Sequence, residues 1–567
     1  MIEDTLKRFY IISPYMYNPK KAKDPVELIF TKLSQIQLSE AVADTCKQFA
    51  RHVSVPNIVN VSGTYDGVDE DFFPVKVVAD EAVATECTLR ATNSKTNNFQ
   101  TNNLYDWVKK FVVDFQLCGK PLYNGMDIMF SHGSTDALSK ILRLFSSEWD
   151  PYSRTMVQRQ SVLVEEFTPA IVAEAIRARG LQVIPVDMDH HGMKPDSLDQ
   201  ILGNWDESKG RFPHLLYTNS TGHNPTGTVL SVDRKRQIYN SCAKNDIVII
   251  EDEPTWFLQY DSMDQDRDDN ATMAEKDQTK NKIATISDQA AIASRAISFM
   301  DSLVPSFLSI DGDGRVIRLE TFATTIAGPG SQLGYIIAQS TVIDQLKLLS
   351  HTSSKEPSPF IQTMVTNCLL HCNYYHGPTN STISSLSTTA TTTIQAIATS
   401  FTHHAYILHL KALRDQYHSR MVTMCRRLDY GNAALSFIPN NDDWDVVRKT
   451  TVYEFQWPKG GSSLWVKVHL LEHPLAPIIN GPDLGHALFL WLTRKPTLVL
   501  CGAGPLFSPT RRVAKHGSLY FKLSYGNGLL EQQHIKQATD RFAQGIQSFW
   551  NIDNAQIIND LLGEYSQ

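Results

Sequence analysis

Three short segments of this 567-residue chain carry side chains that could hold a charged, planar ligand. His132-Gly-Ser-Thr-Asp136 joins an apolar run to a stretch of helical period. The backbone N–H groups of Gly133, Ser134 and Thr135, with two hydroxyls, would meet the positive end of a helix dipole, where a phosphate binds well. A plain N-cap after a glycine turn has the same signature. Tyr217-Thr-Asn-Ser-Thr-Gly-His-Asn-Pro-Thr-Gly-Thr228 follows a second apolar run. Its Asn, Pro and Gly residues can fix the Asn224 amide beside a sheet's carboxyl edge, or can form a simple turn. Ile247-Val-Ile-Ile-Glu-Asp-Glu-Pro254 ends an apolar strand in carboxylates. Asp252 then either projects into the crevice at the strand's end or caps a helix.

The elements that must position these residues follow an α/β rhythm. Short apolar runs rich in β-branched residues alternate with segments of helical period, the pattern of a parallel sheet covered on both faces. The expected strands are 127–131, 162–165, 182–186, 214–218, 247–251, 316–319 and 333–338. Between the first two, Leu138, Ile141, Leu142 and Phe145 fall on one helical stripe, which predicts a helix packed on the sheet. An acidic stretch at 261–282 reads as a solvated excursion, and the Ser/Thr-rich 379–400 as a flexible insertion or exposed helix margin. After about residue 400 amphipathic helices and late strands at 463–469 and 518–523 indicate a second, α+β unit.

Length admits two or more cores. The net charge of −7 is scattered and no basic face stands out, which argues against a nucleic-acid partner. No apolar run approaches a membrane span and the first residues lack a secretory pattern, so neither a membrane partner nor secretion is expected. Eight cysteines without framework spacing read as reduced thiols and favour a cytoplasmic setting. Cys368, His371 and Cys372 share a helical face, but no fourth ligand is evident and the neighbours are apolar, so no metal is expected. Gly502-Ala-Gly504 reads as a turn. Asp264, Asp266, Asp268 and Glu275 have calcium-loop spacing, yet Asp269 stands where the turn needs glycine.

Taken together, in this order and spacing, the three segments resemble the fold-type I enzymes that use pyridoxal phosphate, and within class I the fungal aromatic and 2-aminoadipate aminotransferase group. The likeness runs from Pro213-His-Leu-Leu-Tyr through Asn224-Pro-Thr-Gly to Glu251-Asp-Glu-Pro-Thr-Trp-Phe-Leu-Gln259, and resumes over Ser306-Phe-Leu-Ser-Ile-Asp-Gly-Asp-Gly-Arg-Val-Ile-Arg-Leu319. It implies an α/β fold with a mainly parallel central sheet, helices on both faces and a smaller α+β domain. The implied division is 1–100 as arm and part of the small domain, 101–345 as the large domain, and 346–567 as linking helix and small domain. It also implies roles: Asp252 holds the protonated pyridine nitrogen, Asn224 the phenolic oxygen, and Gly133, Ser134, Thr135 and Thr321 the phosphate of pyridoxal 5′-phosphate. Asn224 and Lys522 would bind substrate.

The departures from the family pattern fall at demanding positions. The chain has no lysine between Lys282 and Lys347. Where the family has Ser-Phe-Ser-Lys, this chain reads Thr321-Phe-Ala-Thr324, so Thr324 takes the place of the lysine that forms the Schiff base and moves the proton. Gln332 takes the place of a phosphate-binding arginine, with Gly328 a one-residue insertion before it. Phe521-Lys-Leu-Ser-Tyr525 puts Lys522 where an arginine grips the substrate carboxylate, keeping the charge and losing the planar fork. Thr255 replaces a tyrosine, Pro169 or the nearby Phe167 stands for the ring-stacking aromatic, and a tyrosine reaching a neighbouring subunit is missing near Arg90-Ala-Thr92. The catalytic residue is therefore unassigned. Two functions remain open: a catalytically impaired, aminotransferase-like binding or regulatory protein that holds the cofactor noncovalently, and an active aminotransferase acting between an aromatic amino acid or 2-aminoadipate and a 2-oxo acid. The family's dimeric sites imply a homodimer, or a heterodimer with a related chain.

Overall fold

β1 (Met126–Ser131) leads through a glycine turn into α1 (Gly133–Phe145), the first unit of the computed structural model. The structure describes residues 59–60, 98–117, 119, 123, 125–260, 286–326, 332–370, 388–438, 446–526 and 532–563. The acidic stretch at 261–282, the turn containing Gly328, Arg90–Thr92 and the carboxylates of the calcium-like spacing lie outside these residues, as do His371 and Cys372.

The chain continues through β2 (Ser161–Glu165), α2 (Ala170–Ala178), β3 (Gln182–Val186), β4 (Leu215–Thr218), α3 (Val232–Lys244), β5 (Val248–Asp252), β6 (Val316–Thr321), β7 (Gly334–Gln339) and α4 (Ser340–His351). The seven strands form one sheet in the order β1-β7-β6-β5-β4-β2-β3. β7 runs antiparallel to both its neighbours, β1 and β6, and the other pairings are parallel. Every strand expected from sequence is present, but the run at 333–338 is this reversed strand. Its apolar sequence carries no mark of direction, because a strand buried on both faces looks the same either way.

Strand alternation sorts the core into two layers. Val162, Tyr217, Ile250, Ile317 and Ile336 face Leu138, Ile141 and Leu142 of α1 on one side. Leu163, Leu216, Ile249 and Ile337 face the other, against Ile238 of α3. α1 starts where the Asp136 carboxylate accepts from the His132 amide at 3.0 Å, satisfying one of the donors that a helix start leaves open. α3 starts at Ser231, whose hydroxyl accepts from the Arg234 amide at 3.3 Å.

α5 (Thr388–Gly431) is a single 44-residue helix, so the Ser/Thr-rich stretch feeds a helix from residue 388 onward. It leads into an antiparallel sheet of β8 (Tyr453–Phe455), β9 (Ser463–Val468), β10 (Gly502–Ala503) and β11 (Tyr520–Ser524), ordered β8-β9-β11-β10. One face of this sheet (Leu464, Val466, Phe521, Leu523) joins the core with Phe542 and Ile546 of α6 (Gln532–Trp550). The other presents Ser463, Trp465, Tyr520, Lys522 and Ser524, by the register Ser463↔Ser524, Trp465↔Lys522. No helix among the described residues is long and apolar enough to cross a membrane, and no described cluster of His, Cys, Asp or Glu has metal-binding geometry.

Candidate functional site

Asp252 is the last residue of β5, half-buried on the sheet face that carries α1. The Tyr217 hydroxyl donates to its Oδ2 at 2.8 Å, while Oδ1 is buried without a hydrogen-bond partner. Burial, only partly offset by Tyr217, raises its pKa to about 6. A buried carboxylate oxygen left unsatisfied is costly, and it marks a place for a donor such as a protonated ring nitrogen.

Asn224 is held by backbone rather than by side-chain bonds. Its amide N–H donates to Asn219 Oδ1 at 2.8 Å, and Asn219 Nδ2 donates to the Asp252 carbonyl at 2.6 Å. Asn219 thus ties the turn to the end of β5. The Asn224 Oδ1 atom is buried and unpartnered. Because an amide's two ends interchange by a flip, the free end can donate or accept.

The turn stays in place because the small sheet clamps it. Gly222, at φ +64°, comes so near the Gly461 backbone that an added Cβ would sit 2.3 Å from the Gly461 nitrogen. Lys459 N donates to the Gly227 carbonyl at 2.9 Å, and Ser463 Oγ donates to the Pro225 carbonyl at 3.1 Å.

The candidate phosphate turn lies at the start of α1. Gly133, at φ +83°, is buried, Ser134 half-buried and Thr135 exposed. Gln332 stands over this turn, with its Oε1 3.2 Å from where a Gly133 Cβ would be. Thr321 is nearly buried, and its hydroxyl donates to the Leu333 carbonyl at 3.2 Å and accepts from the Ala323 amide at 3.1 Å. Gly334 presses on the same turn, where a Cβ would come 3.1 Å from Gly133 Cα. The Gln332 side chain and the Gly334 backbone therefore both close on the Gly133 turn.

Thr324 is half-buried just past β6, and its hydroxyl donates to the Pro254 carbonyl at 2.6 Å. Thr324, which the resemblance sets in the lysine's place, therefore sits beside the Asp252 strand end, with its one side-chain polar atom engaged by backbone. Among the described residues, three other lysines are engaged away from it. Lys347 Nζ pairs with Asp127, near the opposite end of β1 from the glycine turn, at 3.0 Å. Lys140 pairs with Asp136 at 2.6 Å. Lys235 lies behind the sheet, donating to the Pro305 carbonyl at 2.9 Å.

Lys522 is buried on the face of the small sheet that looks toward the Asn224 turn. Its neighbour pair Ser463 and Ser524 marks the Pro225 end, and Trp465 and Tyr520 pack on Phe167 at the other end, with ring centroids 5.2 and 5.4 Å away. Phe167 is thus absorbed into an aromatic cluster with Trp465 and Val513. Pro169 is the N-cap of α2.

Residues 61–254 match the family described as aminotransferase class I and II. Over that span the chain is similar to class I and II aminotransferases. An aromatic amino acid aminotransferase of Schizosaccharomyces pombe is 29% identical over 435 residues, covering 76% of this chain and 73% of that protein. An L-tyrosine:2-oxoglutarate aminotransferase of Tapinella panuoides is 31% identical over 359 residues, covering 63% of this chain and 54%, about half, of that protein. Among solved structures, aminotransferase Aro8 from Candida albicans superposes with a TM-score of 0.58 at 23% identity, covering 79% of this chain and 78% of that one. This likeness shows the fold, which is fold-type I.

The residues around Asp252 and Asn224 have chemistry that fits pyridoxal phosphate as a held ligand: two buried unpartnered atoms, Asp252 Oδ1 and Asn224 Oδ1, could meet a ring nitrogen and a phenolic oxygen, and the glycine turn at a helix start could meet a phosphate. They do not fit a covalent anchor at Thr324. Sequence reasoning singled out Asp252 and Asn224 but missed Tyr217 and Asn219, which hold them. Only strand adjacency, which sets Tyr217 opposite Ile250 and hence on the face of Asp252, brings them together.

Proposed function

We propose that this chain is an aminotransferase-like protein that binds pyridoxal phosphate without a covalent bond at residue 324, with transamination lost or impaired and a binding or regulatory role retained. The observation that carries this reading is the Thr324 hydroxyl, committed to the Pro254 carbonyl at 2.6 Å beside the Asp252 strand end. When bound, the cofactor supplies an electron sink for charge at a substrate's α-carbon. Asp252 would accept from the ring nitrogen and keep its proton there, and Asn224 would bond the phenolic oxygen. Gly133, Ser134 and Thr135 would take the phosphate on backbone N–H groups, with Thr321 beside them. In its protonated form Lys522 would meet a substrate carboxylate as a point charge rather than a fork. An alcohol at 324 is far too weak a base to carry a proton between substrate and cofactor at neutral pH.

The ligand class that this reading favours is aromatic amino acids and their 2-oxo acids, by analogy with the relatives named above, or 2-aminoadipate and its 2-oxo acid, by the resemblance in sequence. The described cysteines Cys242, Cys368, Cys425 and Cys501 are all free, which suits a cytoplasmic setting. A homodimer, or pairing with a related chain, completes the proposal. The test is equilibrium dialysis with pyridoxal phosphate followed by an assay with phenylalanine or 2-aminoadipate and 2-oxoglutarate. Saturable, dialysable binding without product is expected. Steady turnover would overturn the impaired reading in favour of an active aminotransferase.

A further inference from the structure

The small sheet buries an amine that no described carboxylate neutralises. Lys522 is only 6% exposed, and among the described residues no carboxylate lies within ion-pair distance of it. Its amine stands over the Phe507 ring at 5.3 Å. Directly across the β9–β11 register lies Trp465, 8% exposed, whose indole N–H is buried with no acceptor among the described residues. An isolated buried ammonium and an orphan buried donor side by side are each costly, and together they mark a place for an oxygen-bearing ligand. The face they share is bracketed by Ser463, bonded to the Pro225 carbonyl next to Asn224, and by Phe167 just past the end of β2.

We propose that Lys522 is a carbonyl-capturing lysine, whose neutral amine condenses with the carbonyl of a small aldehyde or 2-oxo acid that reaches this face of the sheet. The amine nitrogen adds to the carbonyl carbon, the carbonyl oxygen leaves as water with both amine protons, and an imine remains. No electrons are exchanged and no further reactant is required. Trp465 is a positioning residue, its N–H directed at the ligand's oxygen. Burial lowers the Lys522 pKa to about 8, so near neutral pH on the order of a hundredfold more of it is neutral than of an ordinary lysine. Lys235, also buried, is unsuited to this role because a backbone carbonyl and Glu251 engage it behind the sheet.

The experiment is reductive trapping on the full chain. Protein is incubated with glyoxylate and cyanoborohydride, digested, and each lysine peptide quantified, with a parallel arm using pyridoxal phosphate to tell a small oxo acid from a bulkier aldehyde. Lys522 is expected to carry the adduct roughly tenfold or more above exposed Lys515 and Lys536, in at least one arm. Trapping should rise with pH through a midpoint at about 8. Lys522→Arg, which keeps the charge but cannot form the imine, should abolish selective labelling. Trp465→Phe should lower labelling at Lys522 without moving Lys515. If the Arg variant does not fold, the pH profile of the natural chain decides. Labelling spread evenly over exposed lysines, or selective for another lysine, overturns the proposal. Amino-transfer turnover would overturn the impaired-enzyme reading and leave this one standing, whereas an unlabelled Lys522 sinks this one alone.

Discussion

Replacing Asp252 with Asn separates the carboxylate's role in the folded chain from its role toward a ligand. Burial raises this group from 3.8 to about 6, so the folded state favours the protonated acid. A raised acid contributes stability that is fully present below the unfolded value and is lost as pH rises through the folded one. At neutral pH the native protein holds Asp252 ionised at a cost of about 3 kcal/mol, taking 1.36 kcal/mol per unit. Asn removes that cost and keeps an acceptor for Tyr217, but buries an unpaired NH₂ worth about 1–3 kcal/mol. The signature is the pH dependence: between about pH 5 and pH 7.5 the variant should gain about 1 kcal/mol on the natural chain.

Ligand binding should move the other way. Loss of a charge-assisted hydrogen bond of about 1.5–3 kcal/mol weakens pyridoxal phosphate roughly 10- to 150-fold. Urea unfolding followed by tryptophan fluorescence at several pH values gives the first quantity, and equilibrium dialysis the second. Parallel stability curves for the two proteins across that pH range would refute the claim that Asp252 is a strained buried carboxylate. Unchanged cofactor binding would refute its place in the cradle.

Thr324→Lys should give the chain a borohydride-reducible bond to pyridoxal phosphate at residue 324, found by peptide mapping, and slow the cofactor's release on gel filtration. Gln332→Arg adds a cation over the Gly133 turn and should tighten pyridoxal phosphate roughly tenfold, with inorganic phosphate becoming a competitor in dialysis. Arg318→Met leaves Glu251 and Glu320 buried without the guanidinium that lies 3.4 Å and 2.5 Å from them, and should cost about 3–5 kcal/mol by chemical denaturation. Gly222→Ala forces a Cβ into the Gly461 backbone at a positive φ and should lower stability by about 2 kcal/mol or more while loosening cofactor binding, because the Asn224 turn loses its clamp.

Much of the scaffold was legible because buried parallel strands are short β-branched runs and α1 has a clear stripe. What periodicity could not give was direction and adjacency. The reversal of β7 depends on which edges its neighbours present, and the Tyr217 bond to Asp252 depends on β4 lying beside β5 in a particular register. The site was legible where one segment supplies both backbone and side chain, as at Gly133 and Asn224. It was not legible where partners come from distant parts of the chain. Trp465 and Lys522 fall on separate strands of a sheet whose pairing no local pattern announces, and Asn219 looks like any turn residue until its amide is seen bridging Asn224 and Asp252.

The two faces of the central sheet explain how the Thr324 departure can coexist with an intact cradle. Glu251, Glu253, Lys235 and Arg318 form a buried charged layer on the face opposite Asp252, where burial and Glu251 push Glu253 up to about 8 and Arg318 pairs with Glu251 and Glu320. This layer fixes the ends of β5 and β6 through Ser220, which donates to Glu253 at 2.5 Å, and the Phe307 amide, which donates to Glu251 at 2.8 Å. None of these contacts involves residue 324. A change there therefore alters the chemistry available beside Asp252 without disturbing what holds Asp252 and Asn224 in place, since the Thr324 hydroxyl satisfies itself on the Pro254 carbonyl. Asp252 and Asn224 are held by the charged layer behind the sheet and by the glycine clamp above it, so on the proposed reading noncovalent binding does not depend on the side chain at residue 324.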